Sequence, residues 1–132
     1  MANKFKLTIV SPDGKKIVTE ATILNIVTTD GALGILANHL PLVSIVDISH
    51  FNYRNENGTF DYAISGGVLN VKKDEVIILA ESFESKDEID RSRAESAKLR
   101  AEDRLSNSRD DEELDVKRAE MALKRALNRL SL

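Results

Sequence analysis

The chain contains no cysteine and no tryptophan, and only two prolines and two histidines among its 132 residues. Without cysteine there is no disulfide and no thiolate metal site, and an intracellular setting is compatible. His39 and His50 do not form a His-x-x-x-His pair, which argues against a structural metal or zinc chemistry. No apolar run approaches the roughly 18–20 residues of a membrane-spanning helix, and the N-terminus lacks the pattern of a signal peptide. An excess of positive charge is also missing. With a net charge of −3 and a pI near 5.4 the chain carries no basic footprint for nucleic acid. Neither a Gly-x-Ser-x-Gly elbow nor a Gly-Lys-Ser/Thr loop occurs, and Gly66-Gly67 is the single glycine doublet. No nucleophile–base pair stands out, so catalytic residues are expected to be absent and the chain reads as non-enzymatic.

What the chain does have is a sharp change of composition near Glu84. From Ser85 to Leu132, 12 Lys/Arg and 12 Asp/Glu make up half of 48 residues, and Gly, Pro and aromatics are absent. Ala, Leu, Glu, Lys and Arg dominate this tail, as strong helix formers should. It reads as two helices broken at Ser106–Asp111, with Asp110 or Asp111 capping the second. Val116, Ala119, Leu123, Ala126 and Leu130 form a narrow apolar seam that Leu127 widens, and Ile89, Ala97, Ala101 and Leu105 form a weaker one. Two such helices lie antiparallel across a short loop and bury little, so the hairpin is expected to be marginal and able to open.

The first 84 residues read as strands and turns. Phe5–Val10, Lys16–Val18, Ala21–Thr29, Val43–Val46, His50–Tyr53, Thr59–Ile64, Val68–Val71 and Glu75–Ala80 are the candidate strands. Ser11-Pro12-Asp13-Gly14 and Asn55-Glu56-Asn57-Gly58 are turns, the second a hairpin of the Asn-Gly kind. Eight to ten short strands in this space predict an antiparallel β-sandwich over residues 1–84, followed by a helical hairpin over 85–132. Gly31, Gly34, Gly66 and Gly67 serve turns and bulges on this reading. Leu33, Leu36, Leu40 and Leu42 are many apolar side chains for one loop, which fits either an interface or the core.

Three stretches carry a family resemblance. Asp30-Gly31-Ala32-Leu33-Gly34-Ile35-Leu36-Ala37-Asn38-His39-Leu40-Pro41-Leu42 and Ser65-Gly66-Gly67-Val68-Leu69-Asn70-Val71 resemble the two signatures of the ε subunit of F-type ATP synthases. Ile89-Asp90-Arg91-Ser92-Arg93-Ala94 is similar to the Ile/Leu-Asp-x-x-Arg-Ala motif of ε subunits that bind ATP, those of Bacillus-like bacteria, with Arg91 at a variable position. The resemblance implies a central-stalk rotor subunit that joins the γ subunit to the c-ring and reaches the α/β catalytic head. It implies a hairpin that restrains ATP hydrolysis when extended. It implies no redox cofactor, and a peripheral place on the cytoplasmic face of the plasma membrane, reached only through the complex.

The same resemblance assigns a regulatory ATP, with or without Mg2+, to Glu84, Ile89, Asp90, Arg93, Ala94, Arg100, Arg125 and Arg129. The residue types suit the task. Guanidinium groups bind phosphates in pairs, Ala94 leaves room for a flat base, and Asp90 or Glu84 accepts from an amine or a ribose hydroxyl. Asp90, Arg93 and Arg100 share a helical face, as do Arg125 and Arg129. Two other readings stay open: the same subunit with an ordinary salt-bridged hairpin that binds no nucleotide, and a free adaptor whose hairpin binds partner helices.

Overall fold

The computed structural model describes residues 3–106 and 113–132. The expected caps Asp110 and Asp111 lie outside the described residues. By internal contacts the chain divides into a unit at Met1–Ser85 and a second at Lys86–Leu132.

The first unit is built of eight strands, β1 (Phe5–Val10), β2 (Lys16–Ala21), β3 (Ile23–Thr28), β4 (Gly31–Leu36), β5 (Leu42–Asn55), β6 (Gly58–Val71), β7 (Glu75–Ala80) and β8 (Phe83–Ser85). They hydrogen-bond in the order β2-β1-β7-β6-β5-β3-β4, with β8 also on β6. Alternation in the sequence dictates which side is buried. In β1 Phe5, Leu7 and Ile9 point inward while Lys6 is exposed, the period-2 signature of a one-sided strand. The core collects Leu24, Ile26, Ile35, Phe51, Ile64, Leu69, Val76 and Ile78 around a stack of rings. Phe51 lies 5.2 Å from Tyr62, Tyr62 lies 6.1 Å from Tyr53, and Phe83 meets Tyr62 edge-on at 5.9 Å.

Two features differ from the sequence reading. β5 and β6 are each 14 residues long, where the alternation suggested two short strands apiece. Their pairing keeps one register from Leu42↔Val71 to Asn55↔Gly58, and near its middle, between Gly67 and Ile64, β6 passes from pairing β7 to pairing β8. The second difference is that β1 and β7 run parallel, unlike the other pairings of the sheet. A long connection separates these two strands, so no turn signal between them marks the pairing.

Gly66 and Gly67 sit at this change of partner. Gly66 has φ of +98°, its carbonyl accepts from the Glu81 N–H at 2.9 Å, and Ser65 N–H donates to Ser82 at 3.0 Å. A Cβ on Gly67 would stand 2.2 Å from the Leu79 carbonyl oxygen. The doublet therefore serves close backbone approach where β6 changes partner. The stretch 30–42 is less of a loop than its glycines imply, since Gly31–Leu36 is a strand on β3. Leu33 and Leu42 pack against the core, while Leu36 and Leu40 are exposed.

The second unit holds α1 (Arg91–Ser106) and α2 (Glu113–Leu130) after a single 3-10 turn at Lys86–Glu88. Asp90 starts α1: its Oδ1 accepts from Arg93 N–H at 3.0 Å and its carbonyl from Ala94 N–H at 2.9 Å.

Candidate functional site

α1 and α2 are antiparallel. The start of α1 meets the end of α2 where the Arg91 guanidinium donates to the Leu130 carbonyl at 3.2 Å. The buried side chains of the two helices are small, Ala94 and Ala101 on α1 and Ala119 and Ala126 on α2. Val116, Leu123 and Leu130 are half-buried, and Leu127, expected to widen the seam, is exposed. Alanines let helices approach closely, but each buried methyl contributes only roughly 0.8 kcal/mol, against about 1.5–3 kcal/mol for a leucine.

Beside the seam runs a groove of about 290 Å3, lined by Ala97, Arg100, Ala101 and Arg104 of α1 and Ala119 and Ala122 of α2. Arg93 precedes Ala97 by one turn and Arg100 by two, which keeps it on the groove's flank of α1. Arg125 and Arg129 follow Ala122 at one and two turns, on the matching flank of α2. By spacing, Arg93 and Arg100 share one face of α1, and Arg125 and Arg129 share one face of α2. Arg93 and Arg100 are exposed, and Arg125 and Arg129 are half-buried. Among the described residues no carboxylate pairs with Arg93, Arg100 or Arg125, whereas Lys98 and Glu102 do pair, at 3.8 Å. Fork-shaped guanidinium groups match phosphate oxygens, which makes these arginines candidate contacts for a polyanion.

The other expected residues are placed as follows. Asp90 spends one carboxylate oxygen on capping α1 and keeps the other. Ala94 is only 4% exposed, so its methyl is already covered. Ile89 is buried just ahead of α1. Glu84 belongs to the sandwich unit, opposite Ala63 on β6. Sequence reasoning missed Arg104, which lines the groove; its signal was the i,i+4 spacing from Arg100. Among the described residues no group of three or more His, Cys, Asp or Glu is arranged to hold a metal ion.

The sandwich has its own candidate surface. Ile45, Val68 and Leu79 are cross-strand neighbours in one row over β5, β6 and β7, and are 61%, 38% and 53% exposed. Val43, two residues before Ile45 and on the same face, is 69% exposed. Contiguous apolar rows on the solvent face of a sheet mark contact surfaces. Among the described residues no helix is long and apolar enough to cross a membrane.

Comparison with known proteins covers both units. Residues 4–86 match the family described as ATP synthase, Delta/Epsilon chain, beta-sandwich domain, and residues 87–132 match its long alpha-helix domain. The ATP synthase epsilon chain of Priestia megaterium is 44% identical over 105 residues, 80% of this chain and 78% of that protein. That of Bacillus subtilis is 40% identical over 106 residues, 80% of each. A chain of the Euglena gracilis mitochondrial ATP synthase shares the fold with a TM-score of 0.81 at 24% identity, over 97% of this chain and 79% of that one.

Proposed function

The chain belongs to the ATP synthase delta/epsilon family, with the bacterial F-type epsilon subunits, and from that premise we propose a non-catalytic rotor subunit of the central stalk whose hairpin restrains ATP hydrolysis and is held closed by ATP. The sandwich docks on the γ subunit and the c-ring, and the apolar row Val43–Ile45–Val68–Leu79 supports that docking. Opened, the hairpin extends along γ toward the α/β head, where it obstructs rotation in the hydrolysis direction. The subunit meets the membrane through the complex alone.

The observation that carries the regulatory half is the arginine-flanked groove beside a seam of alanines. The seam is weak enough to part, because two packings of the same helices then differ by only a few kcal/mol. The groove exists only while both helices contribute to it, so a polyanion bound there favours closure. ATP fits through its triphosphate, to which Arg93, Arg100, Arg125 and Arg129 bring positive charge. The free oxygen of Asp90 accepts from the adenine amine or a ribose hydroxyl, and Ile89 and Ala94 keep the helix start compact. Any magnesium enters as the nucleotide's own counter-ion. At ten times its Kd, ATP shifts the closed-to-open ratio about tenfold.

Calorimetric titration of the full chain with ATP tests the site. Saturable one-to-one binding that Arg93→Ala abolishes supports it. Absence of heat at millimolar ATP removes the nucleotide and leaves the second reading, a rotor subunit whose hairpin answers to its protein contacts alone.

A further inference from the structure

The last turn of α2 has four carbonyls that the helix itself leaves without partners, those of Leu127, Asn128, Arg129 and Leu130. Three are satisfied from the residues that follow. Leu127 accepts from Ser131 N–H at 3.0 Å, Asn128 from the Ser131 hydroxyl at 2.9 Å, and Arg129 from Leu132 N–H at 3.4 Å. The fourth, Leu130, accepts from Arg91 of the other helix at 3.2 Å, and a second nitrogen of the same guanidinium reaches the Leu132 carbonyl at 3.5 Å. A permanent cation therefore sits at the negative end of the α2 dipole, delivered across the hairpin by the first residue of α1.

We infer that Arg91 is a latch on the closed hairpin, a positioning residue that acts through helix pairing and not on the ligand. Its place on α1 separates the two roles. Arg91 and Arg93 are two residues apart, about 200° around the helix, so Arg91 lies on the flank away from the arginine groove. The latch breaks whenever α2 leaves α1, because its donor and its acceptors belong to different helices. It thus sets the resting closed-to-open ratio before any ligand arrives. The consequence for ATP rests on the function proposed above: a ligand that needs the closed form binds with an apparent Kd divided by the closed fraction. Two controls of one switch follow, one fixed by the residue at position 91 and one by nucleotide concentration.

The absence of cysteine makes the test direct. Nitroxide labels on Ser96→Cys of α1 and Glu120→Cys of α2, in the full chain without nucleotide, report helix separation by pulsed electron spin resonance. Hydrogen exchange of the α2 amides reads openings too rare for the labels. Arg91→Gln should raise the open-to-closed ratio about two- to five-fold at low salt, the range of an exposed charge at a helix end. Arg91→Lys, which keeps the charge and loses the fork, should restore part of the change. The difference should shrink near 0.5 M salt, where exposed charges are screened. Arg91→Gln should weaken ATP binding by no more than the same factor, while Arg93→Ala weakens it far more. An unchanged helix separation and unchanged exchange in Arg91→Gln would overturn the latch. Should the unsubstituted chain ignore ATP, the nucleotide reading falls and the nucleotide-free comparison still decides the latch.

Discussion

Replacing Gly67 by alanine should be among the most damaging single-methyl changes in the sandwich. The new Cβ would lie 2.2 Å from the Leu79 carbonyl oxygen, 3.0 Å from the Ala80 Cα and 3.1 Å from the Leu79 carbonyl carbon. All three are backbone atoms of β7, so no side chain can rotate away. Relief requires β6 and β7 to part by about 1 Å at the Gly67↔Ala80 rung. Overpacking of this kind costs roughly 1–3 kcal/mol, and a weakened ladder bond adds about 1 kcal/mol. In a unit of this size each kcal/mol moves Tm by about 4–8 °C, so Gly67→Ala should melt about 8–30 °C below the parent chain by scanning calorimetry. Gly34→Ala is the control, since its Cβ would meet only Asn25 Oδ1 at an ordinary 3.6 Å, and it should stay within about 3 °C. A Gly67→Ala melt as close to the parent as the control would refute the close-approach argument.

Other outcomes follow from the same structure. Asp90→Ala removes the cap of α1 and should lower hairpin stability by about 1 kcal/mol, read as lost helical signal at 222 nm and faster exchange of the α1 amides. Ile45→Asp puts a charge in the exposed row; it should leave the melt unchanged and weaken binding to purified γ subunit at least about tenfold, since burying one isoleucine is worth roughly 1.5–3 kcal/mol. Arg100→Ala and Arg125→Ala should each weaken ATP binding at least about tenfold in calorimetry, in proportion to one lost charge-assisted contact of about 1.5–3 kcal/mol. Asp13, which accepts from the Ser11 hydroxyl and from Lys15 N–H, has its carboxyl held below the usual range by these bonds. A lowered folded-state value means stabilisation present above the unfolded value and lost as pH falls through the folded one. Asp13→Asn should therefore flatten the acid-side loss of melting temperature below about pH 4.

Much of this was readable in the sequence because local physics decides it. The composition change near Glu84 reflects a real difference, since a one-sided strand needs alternation and a thin hairpin needs charge and alanine. The turn at Asp13-Gly14 and the strand Phe5–Val10 follow from turn chemistry and period. The parallel β1–β7 pair was not readable, because nothing local records a partner some seventy residues away. The fusion of two apparent strands into β5, and of two into β6, was hidden by turn-like residues in the middle of each, Asp47-Ile48-Ser49 and Ser65-Gly66-Gly67, which interrupt the sequence pattern without ending the strand. On the hairpin, spacing predicted which arginines share a face. It could not give the role of Arg91, whose acceptors lie at the far end of the other helix.

The central claim is that hydrolysis is free when the hairpin is closed and restrained when it opens. Cysteines at Ala101 and Ala119, which line the same groove from opposite helices, allow the hairpin to be locked shut by oxidation in the assembled enzyme. The measurement is the ATP hydrolysis rate of that complex, oxidised and then reduced, at low ATP. The account predicts that the oxidised complex hydrolyses as fast as one whose subunit ends at Ser85, and that reduction slows it. Equal rates before and after reduction, with the cross-link verified, would contradict it.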